Sequence, residues 1–557
     1  MSKKEEVFEL GSQKKYISWP VIALMDFVTV IGFDDIIYNF QNQGLGTITT
    51  WILMLFLFVI PYEMMVGHLG SVFNKEGGGL SSWVRGTWGD TWGYIAAWTY
   101  WVVGLPYVVD VANSMVVSFG WLVNGNASMQ DRMSNSLFAL LTALIFTLFI
   151  FIQHRLRNSL QWLGILGGGA MFIMTVLYVI MTFAYLGKGG APHSQPFTLK
   201  SIIPNFDFKY FTTLGLFIFA MNGSEYIAPY VNEMKNGGRD FSKAMWMLAI
   251  MTGFLTVLGS FSLGIFFNAH DLPHDLKMNG SYYAFQYMGN EFGVGQLFMY
   301  IFSVTQAIYM MAQLAVLIDA GTRMFLSDTA KKYLPEGLTK TDKRNLPING
   351  YWMTTGICTL ILVLSATLPN MNSIFNQLLN LNGIVSPFAT CFLFTSFITV
   401  RMRQKEFPSE FVFIKNRKFS LVVGWWCLLF TFSFACLSVF QIDEPFGSPA
   451  YWHVIMLNII EPLIMLAIGI LLPYIAHYER NHSKATNRRN LGISYLVGAA
   501  LILGTVFPIL SVSHNNKLNS PLVNTIELIV ELVIIISIAI VGFVLGYRAL
   551  KQSKKLA

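Results

Sequence analysis

Charge is what this chain is short of. Only 12% of its 557 residues are Asp, Glu, Lys or Arg, about half the share in a water-soluble domain of ordinary composition. A soluble fold of this length has no means of covering its surface with so little charge. The 54% of hydrophobic residues gather instead in runs long enough to cross a bilayer, the pattern of an all-α polytopic membrane protein. Cysteine is also sparse. Cys358, Cys391, Cys427 and Cys436 fall in apolar runs without metal-ligand spacing, so no disulfide framework is indicated. There is no metal-ligand cluster, phosphate loop or nucleophile motif, and His68, His154 and His477 are isolated. No cofactor, bound metal or enzymatic activity is expected. The opening MSKKEEVFELGSQKKYISW lacks a signal-peptide cleavage pattern, so the first apolar run is expected to remain as a helix.

Fourteen spans are expected, at 18–41, 47–70, 93–123, 136–153, 158–186, 211–231, 244–268, 293–320, 350–368, 373–400, 419–441, 453–478, 491–513 and 523–547. No Lys or Arg falls within a span on this placement. Of the 37 basic residues, the alternate loops hold Arg132, Lys188, Lys200, Lys209, Lys277 and Lys517, and the remainder lie on the opposite side. The basic side faces the cytoplasm, which puts both termini inside and the protein in the cell membrane. The net charge of +7 is then a topology signal and implies no nucleic acid. The tail Arg548 to Lys555 reads as an anchor to inner-leaflet lipid. The expected divisions are a cytoplasmic segment 1–17, a core of spans 1–10 at 18–400, spans 11–12 at 401–478, two additional spans at 479–547 and a basic tail 548–557.

Against this apolar background, two spans carry a weak point beside an acid. Span 6 runs through Phe217-Ile218-Phe219-Ala220 and meets Met221-Asn222-Gly223-Ser224, with Glu225 just beyond. Asn and Gly are weak helix formers, and Gly resists unwinding least. Span 1 reads Val30-Ile31-Gly32-Phe33-Asp34-Asp35, with Asp26 about two turns earlier. Two adjacent carboxylates facing lipid are costly, so at least one should face a polar interior; the alternative is a solvated position near the outer mouth. An interrupted helix survives in a bilayer only where its freed backbone is buried in protein or lines a cavity. Paired interruptions five helices apart point to an inverted-repeat transporter; a simple kink with a buried acid is the plainer alternative for each.

Other polar residues inside spans are candidates for a pathway or for helix packing. Span 2 carries Pro61 and Glu63. Span 3 has Tyr107 and, at i,i+3 spacing, Asp110 and Asn113, a pattern that suits a buried hydrogen-bonded pair better than a transport role. Gln306, Tyr309, Met310 and Gln313 form one polar face of span 8, and span 10 has Asn380, Asn382, Gly383 and Pro387. Glu461, Glu527 and Glu531 lie in spans 11–14 without a glycine beside them, and these helices read as scaffold. Buried acids without basic partners favour a proton, a metal cation or an ammonium as visitor, whereas unwound N–H groups suit a carboxylate. Together they suit a zwitterion.

The chain resembles the amino acid–polyamine–organocation superfamily of transporters, and within it the glutamate/GABA antiporter branch. The residues that carry the resemblance are Gly223-Ser224-Glu225, Val231-Asn232-Glu233-Met234 and Asn236-Gly237-Gly238-Arg239-Asp240. Glu76-Gly77-Gly78-Gly79 with Trp83 and Gly89, Gly321-Thr322-Arg323 and Leu346-Pro347 support it, over about residues 15 to 480. The resemblance implies a LeuT-like five-plus-five inverted repeat working by alternating access, twelve helices extended here by two. It implies a substrate site at Val30, Ile31, Gly32, Phe33, Asp34 and Asp35 with Met221, Asn222, Gly223 and Ser224. Glu225 matches the proton-linked acid of the family, and Tyr107, Asp110, Gln306, Tyr309 and Gln313 are further proton-linked or gating candidates. Ile31-Gly32-Phe33-Asp34-Asp35 departs from the Gly-Ser-Gly type of break, and span 5 lacks the lysine of some proton-coupled relatives. The function expected is secondary active amino acid transport, most simply exchange of an amino acid for a related amine or amino acid, with protons as a candidate partner. Proton-coupled uptake without exchange is the alternative; a membrane enzyme, receptor or scaffold leaves the paired breaks without a purpose.

Overall fold

The computed structural model describes residues 16–556 apart from 77–78, 157–158, 328, 342–346, 367–370, 442–444, 507 and 511–520. Gly77, Gly78 and Leu346, which contribute to the resemblance, lie outside the described residues. Among the described residues the chain is helical, with one isolated parallel bridge between Ile17 and Met234. Among the described residues, twelve helices are long and apolar enough to cross a membrane, from Gly46–Val72 to Thr525–Lys555. Two more spans are interrupted, so neither presents one continuous crossing helix. They are spans 1 and 6 of the sequence reading.

Span 1 consists of Trp19–Val30 and Phe33–Gln43, with Ile31 and Gly32 extended between them. The reason is local. Asp34 and Asp35 occupy the first turn of the second half-helix, where a carboxylate is favoured by the N-terminal end of the dipole. Asp35 Oδ2 accepts the Gly32 N–H at 2.8 Å, a capping contact that starts a helix at this point. The paired acids are therefore a helix-start signal inside a span, with Asp35 buried at 9% exposed and Asp34 partly buried beside it. Span 6 runs as Phe208–Phe219, then continues past Gly223 as the short turns Ser224–Tyr226 and Ala228–Glu233. Gly223 has φ +124°, a conformation closed to residues with a β-carbon.

Elsewhere the helices hold. Asp90–Asn124 and Met371–Met402 run unbroken through Pro106 and Pro387. The basic connector after span 8 forms two short 3-10 turns, Lys331–Tyr333 and Glu336–Thr339. Span 8, Leu297–Leu326, packs against spans 3 and 5, while the first half of span 1 lies against spans 5 and 7. Both breaks are thereby enclosed by protein. Spans 13 and 14 pair with each other, and span 14 docks on span 4, where Ser134 donates to the buried Glu531 at 2.8 Å.

Candidate functional site

A cavity lies between spans 1, 3, 6 and 10, where the two breaks meet. Thr29 and Val30 line it from span 1, Tyr100, Gly104 and Tyr107 from span 3, Phe219, Asn222, Gly223 and Tyr226 from span 6, and Ser386 from span 10. Of the expected substrate residues, Val30, Asn222 and Gly223 face this space, as does Tyr107. Asn222 donates to Ser386 at 3.0 Å and to Thr390 at 2.8 Å, fixing the break against span 10. Tyr107 meets Phe219 edge-on at 5.2 Å, and Gln313 donates to its hydroxyl at 2.6 Å. Tyr107 and Gln313 thus form one unit at the cavity wall.

On one side of the breaks sits a group of three acids from three spans. Tyr62 donates its hydroxyl hydrogen to Glu225 Oε2 and accepts the N–H groups of Gly223 at 2.8 Å and Ser224 at 3.0 Å. Ser224 donates to Glu63 Oε1 at 2.7 Å, and Thr29 reaches Asp26 Oδ1 at 3.3 Å. Asp26, Glu63 and Glu225 are fully buried, and Asp26 Oδ2, Glu63 Oε2 and Glu225 Oε1 have no hydrogen-bond partner. Among the described residues no lysine or arginine pairs with any of them. An unpaired buried charge costs several kcal/mol in a medium this apolar.

On the other side of the span-1 break, Asp34, Asp35 and Asp110 face Lys277. Lys277 belongs to Leu276–Glu291, a helix between spans 7 and 8. Its Nζ is buried without a hydrogen-bond partner, 5.6 Å from the Tyr38 ring centre and 5.9 Å from that of Phe375. Burial holds the ammonium below the ordinary lysine range, against the opposing pull of Asp110, Asp34 and Asp35. Asp34 Oδ1, Asp110 Oδ1 and Gln306 Oε1 are also buried and unpartnered. Asp110 and Asn113 do not form the bonded pair their spacing suggests: both polar atoms of Asn113 lack a partner. Tyr309 points its hydroxyl at the carbonyls of Ile31 at 2.8 Å, Phe27 at 3.2 Å and Val28 at 3.3 Å, covering the end of the first half-helix.

Three N–H groups expected to receive a substrate carboxylate are therefore already engaged: Gly32 by Asp35, Gly223 and Ser224 by Tyr62. Ile31, Phe33 and Met221 are buried around the breaks. At the Lys/Arg-rich side, Arg323 donates to Asp319 at 2.8 Å and to Glu233 at 3.2 Å, and Tyr230 donates to Asp319 at 2.6 Å. Ile17 N–H reaches the Glu233 carbonyl at 3.0 Å. Sequence pieces far apart in the chain, Val231 to Met234 and Gly321 to Arg323, thus meet in one tie that also holds the start of span 1.

Tyr62, Asp26, Tyr100, Tyr226 and Lys277 carry no site role in the sequence reading, and Glu63 appears there only as an intramembrane acid. Such an acid is itself a functional signal, and the structure places Asp26 and Glu63 beside Glu225 at the span-6 break. Nothing in the sequence marks Lys277, which sits in a polar loop like any solvated lysine.

A helical membrane protein with two interrupted spans meeting at a small cavity fits the architecture of a secondary transporter. The family model described as amino acid permease matches residues 17–470, and the chain belongs to that family. It is 37% identical over 485 residues to the aspartate/glutamate permease AcaP of Lactococcus lactis subsp. cremoris, covering 85% of this chain and 97% of the relative. It is 21% identical over 489 residues to the inner membrane transporter YjeM of Escherichia coli, 83% and 96% of the two chains. With the glutamate/gamma-aminobutyrate antiporter of Lactococcus lactis subsp. lactis it shares 24% identity over 300 residues, 52% of this chain and 57% of the relative. The chain is an amino acid transporter, integral to the cell membrane.

Proposed function

We propose that the chain carries an acidic amino acid across the cell membrane, in exchange for a related amine or amino acid, by alternating access about the breaks in spans 1 and 6. The observation that carries the reading is the burial of Asp26, Glu63 and Glu225 beside the cavity without a basic partner. These acids give a proton a place to bind. The similarity to an aspartate/glutamate permease over nearly its whole length supports the acidic substrate. The likeness to a glutamate/gamma-aminobutyrate antiporter supports exchange. Glutamate and gamma-aminobutyrate share an ammonium and a distal carboxylate, so one site can serve both directions.

The Lys/Arg-rich side is taken as cytoplasmic, with both termini there, and spans 1–10 as the five-plus-five repeat. Val30 to Asp35 and Met221 to Ser224 frame the substrate, and Glu225 is its proton-linked acid. We read the chain as a transporter and not as an enzyme. Proton-coupled uptake without exchange is the second reading, favoured by the acids that lack a fixed cation. Labelled glutamate uptake into liposomes containing the purified protein separates the two. Uptake only when gamma-aminobutyrate or glutamate is inside supports exchange. Equal uptake into buffer-loaded liposomes under an inward proton gradient supports the second reading, and no uptake of glutamate or aspartate in either set removes the acidic substrate.

A further inference from the structure

The three backbone donors at the breaks described above are occupied by Asp35 and Tyr62 and are not open to a substrate carboxylate. Among the described residues, Lys277 is the one lysine or arginine with a buried charged atom that has no hydrogen-bond partner. Its helix packs against Phe33–Gln43 and against span 8, and its Nζ lies by the rings of Tyr38 and Phe375. Around it, Asp110 is 8% exposed and Gln306 2%, each with an unpartnered oxygen, and Asp34 Oδ1 is unpartnered as well. Buried polar atoms of both signs left unpaired are costly. They suit a ligand that itself carries both signs. Tyr38 links this group to the cavity: it shares an apolar cluster with Phe219, against which Tyr107 packs.

We propose that Lys277 is the residue that selects an acidic amino acid, its Nζ receiving the substrate's side-chain carboxylate while Asp34 and Asp110 receive the ammonium. This assignment rests on the acidic-substrate reading above. Asp35 is committed to Gly32, which leaves two carboxylates for one ammonium. The substrate's α-carboxylate adds negative charge among these acids, and a proton entering with the substrate offsets it. A lysine from the helix between spans 7 and 8 gives a long, flexible donor that follows the substrate as the breaks move.

The test is initial-rate transport by reconstituted wild type, Lys277→Met, Lys277→Arg and Asp110→Asn, each first shown to elute as a single species. Labelled glutamate is the substrate; glutamine and asparagine compete. Loss of one charge-assisted hydrogen bond is expected to raise the glutamate KM of Lys277→Met by about tenfold or more. Its maximal rate and its inhibition by glutamine stay close to wild type, and Lys277→Arg falls between. Asp110→Asn, which removes an ammonium contact, weakens glutamate and glutamine alike. A Lys277→Met variant in which glutamate and glutamine weaken equally overturns the assignment, as does one whose maximal rate falls at unchanged KM, the signature of a latch. Unaltered kinetics overturn it too. Should Lys277→Met not fold, Lys277→Arg with an unchanged ratio of glutamate to glutamine affinity does the same. If wild type moves no acidic amino acid, the proposed function itself fails; a competent wild type with indifferent Lys277 variants rejects only this assignment.

Discussion

Tyr62 and Glu225 are joined by a hydrogen bond from the phenol to the carboxylate, and the same phenol oxygen accepts the Gly223 and Ser224 N–H groups at 2.8 and 3.0 Å. One hydroxyl from span 2 therefore binds both the acid and the unwound backbone of span 6. That hydroxyl thus connects the Glu225 carboxyl to the backbone that lines the cavity.

Replacing Tyr62 by Phe removes that link while keeping the ring. Two buried N–H groups lose their acceptor, at about 1–3 kcal/mol each where water cannot replace it. Thermal unfolding of the purified variant should shift down, and the KM of transport should rise. Wild-type Tm and KM in Tyr62→Phe would show that the hydroxyl is not what holds the break.

Gly223→Val is expected to abolish substrate binding, because φ +124° excludes a β-branched residue. Gly32→Ala is expected to be milder. Gly32 has an extended backbone that alanine can adopt, but an added β-carbon would fall on Asp34 Oδ1 and displace that carboxylate. Equilibrium binding of labelled glutamate to detergent-purified protein reads both; normal affinity in Gly223→Val would detach the break from the site.

The tie at the Lys/Arg-rich side, taken as cytoplasmic, gives a third expectation. Asp319 is nearly enclosed, with its side chain 3% exposed against 19% for Arg323 and 41% for Glu233. Arg323→Gln leaves Asp319 with Tyr230 alone and frees the segment after the span-6 break. The variant should expose the cavity to the cytoplasm more often, seen as faster labelling of a cysteine placed at Thr29 by a membrane-impermeant thiol reagent applied from that side, in a background with the native cysteines removed. Unchanged labelling would mean the tie does not restrain opening.

The all-helical, many-span character is legible in the sequence because it rests on apolar length, and the points where helices divide coincide with local signals: Asn and Gly in span 6, and Gly followed by two acids in span 1. What the acids at 34 and 35 do is less legible. Asp35 caps its own half-helix, and that role depends on where the break falls to a single residue. Likewise the unwound amides look free in the sequence, since nothing local shows that Tyr62 reaches Gly223 from 161 positions away. Asp110 and Asn113 mislead for a related reason: helical spacing makes them neighbours, but side-chain direction in the packed bundle keeps them from bonding. Lys277 is illegible because a loop lysine earns no notice until the fold turns it inward.

The account centres on Glu225 as the acid through which a cation acts on the span-6 break. The most direct measurement is the pH profile of initial glutamate uptake by reconstituted wild type and Glu225→Gln, with both proteins shown to be equally stable. Glutamine keeps an oxygen for the Tyr62 hydroxyl and cannot take up a proton in this range. The predicted result is a pH-dependent wild type and a flat profile in the variant. A variant with full activity and an unaltered pH profile would contradict the account and remove Glu225 from the mechanism.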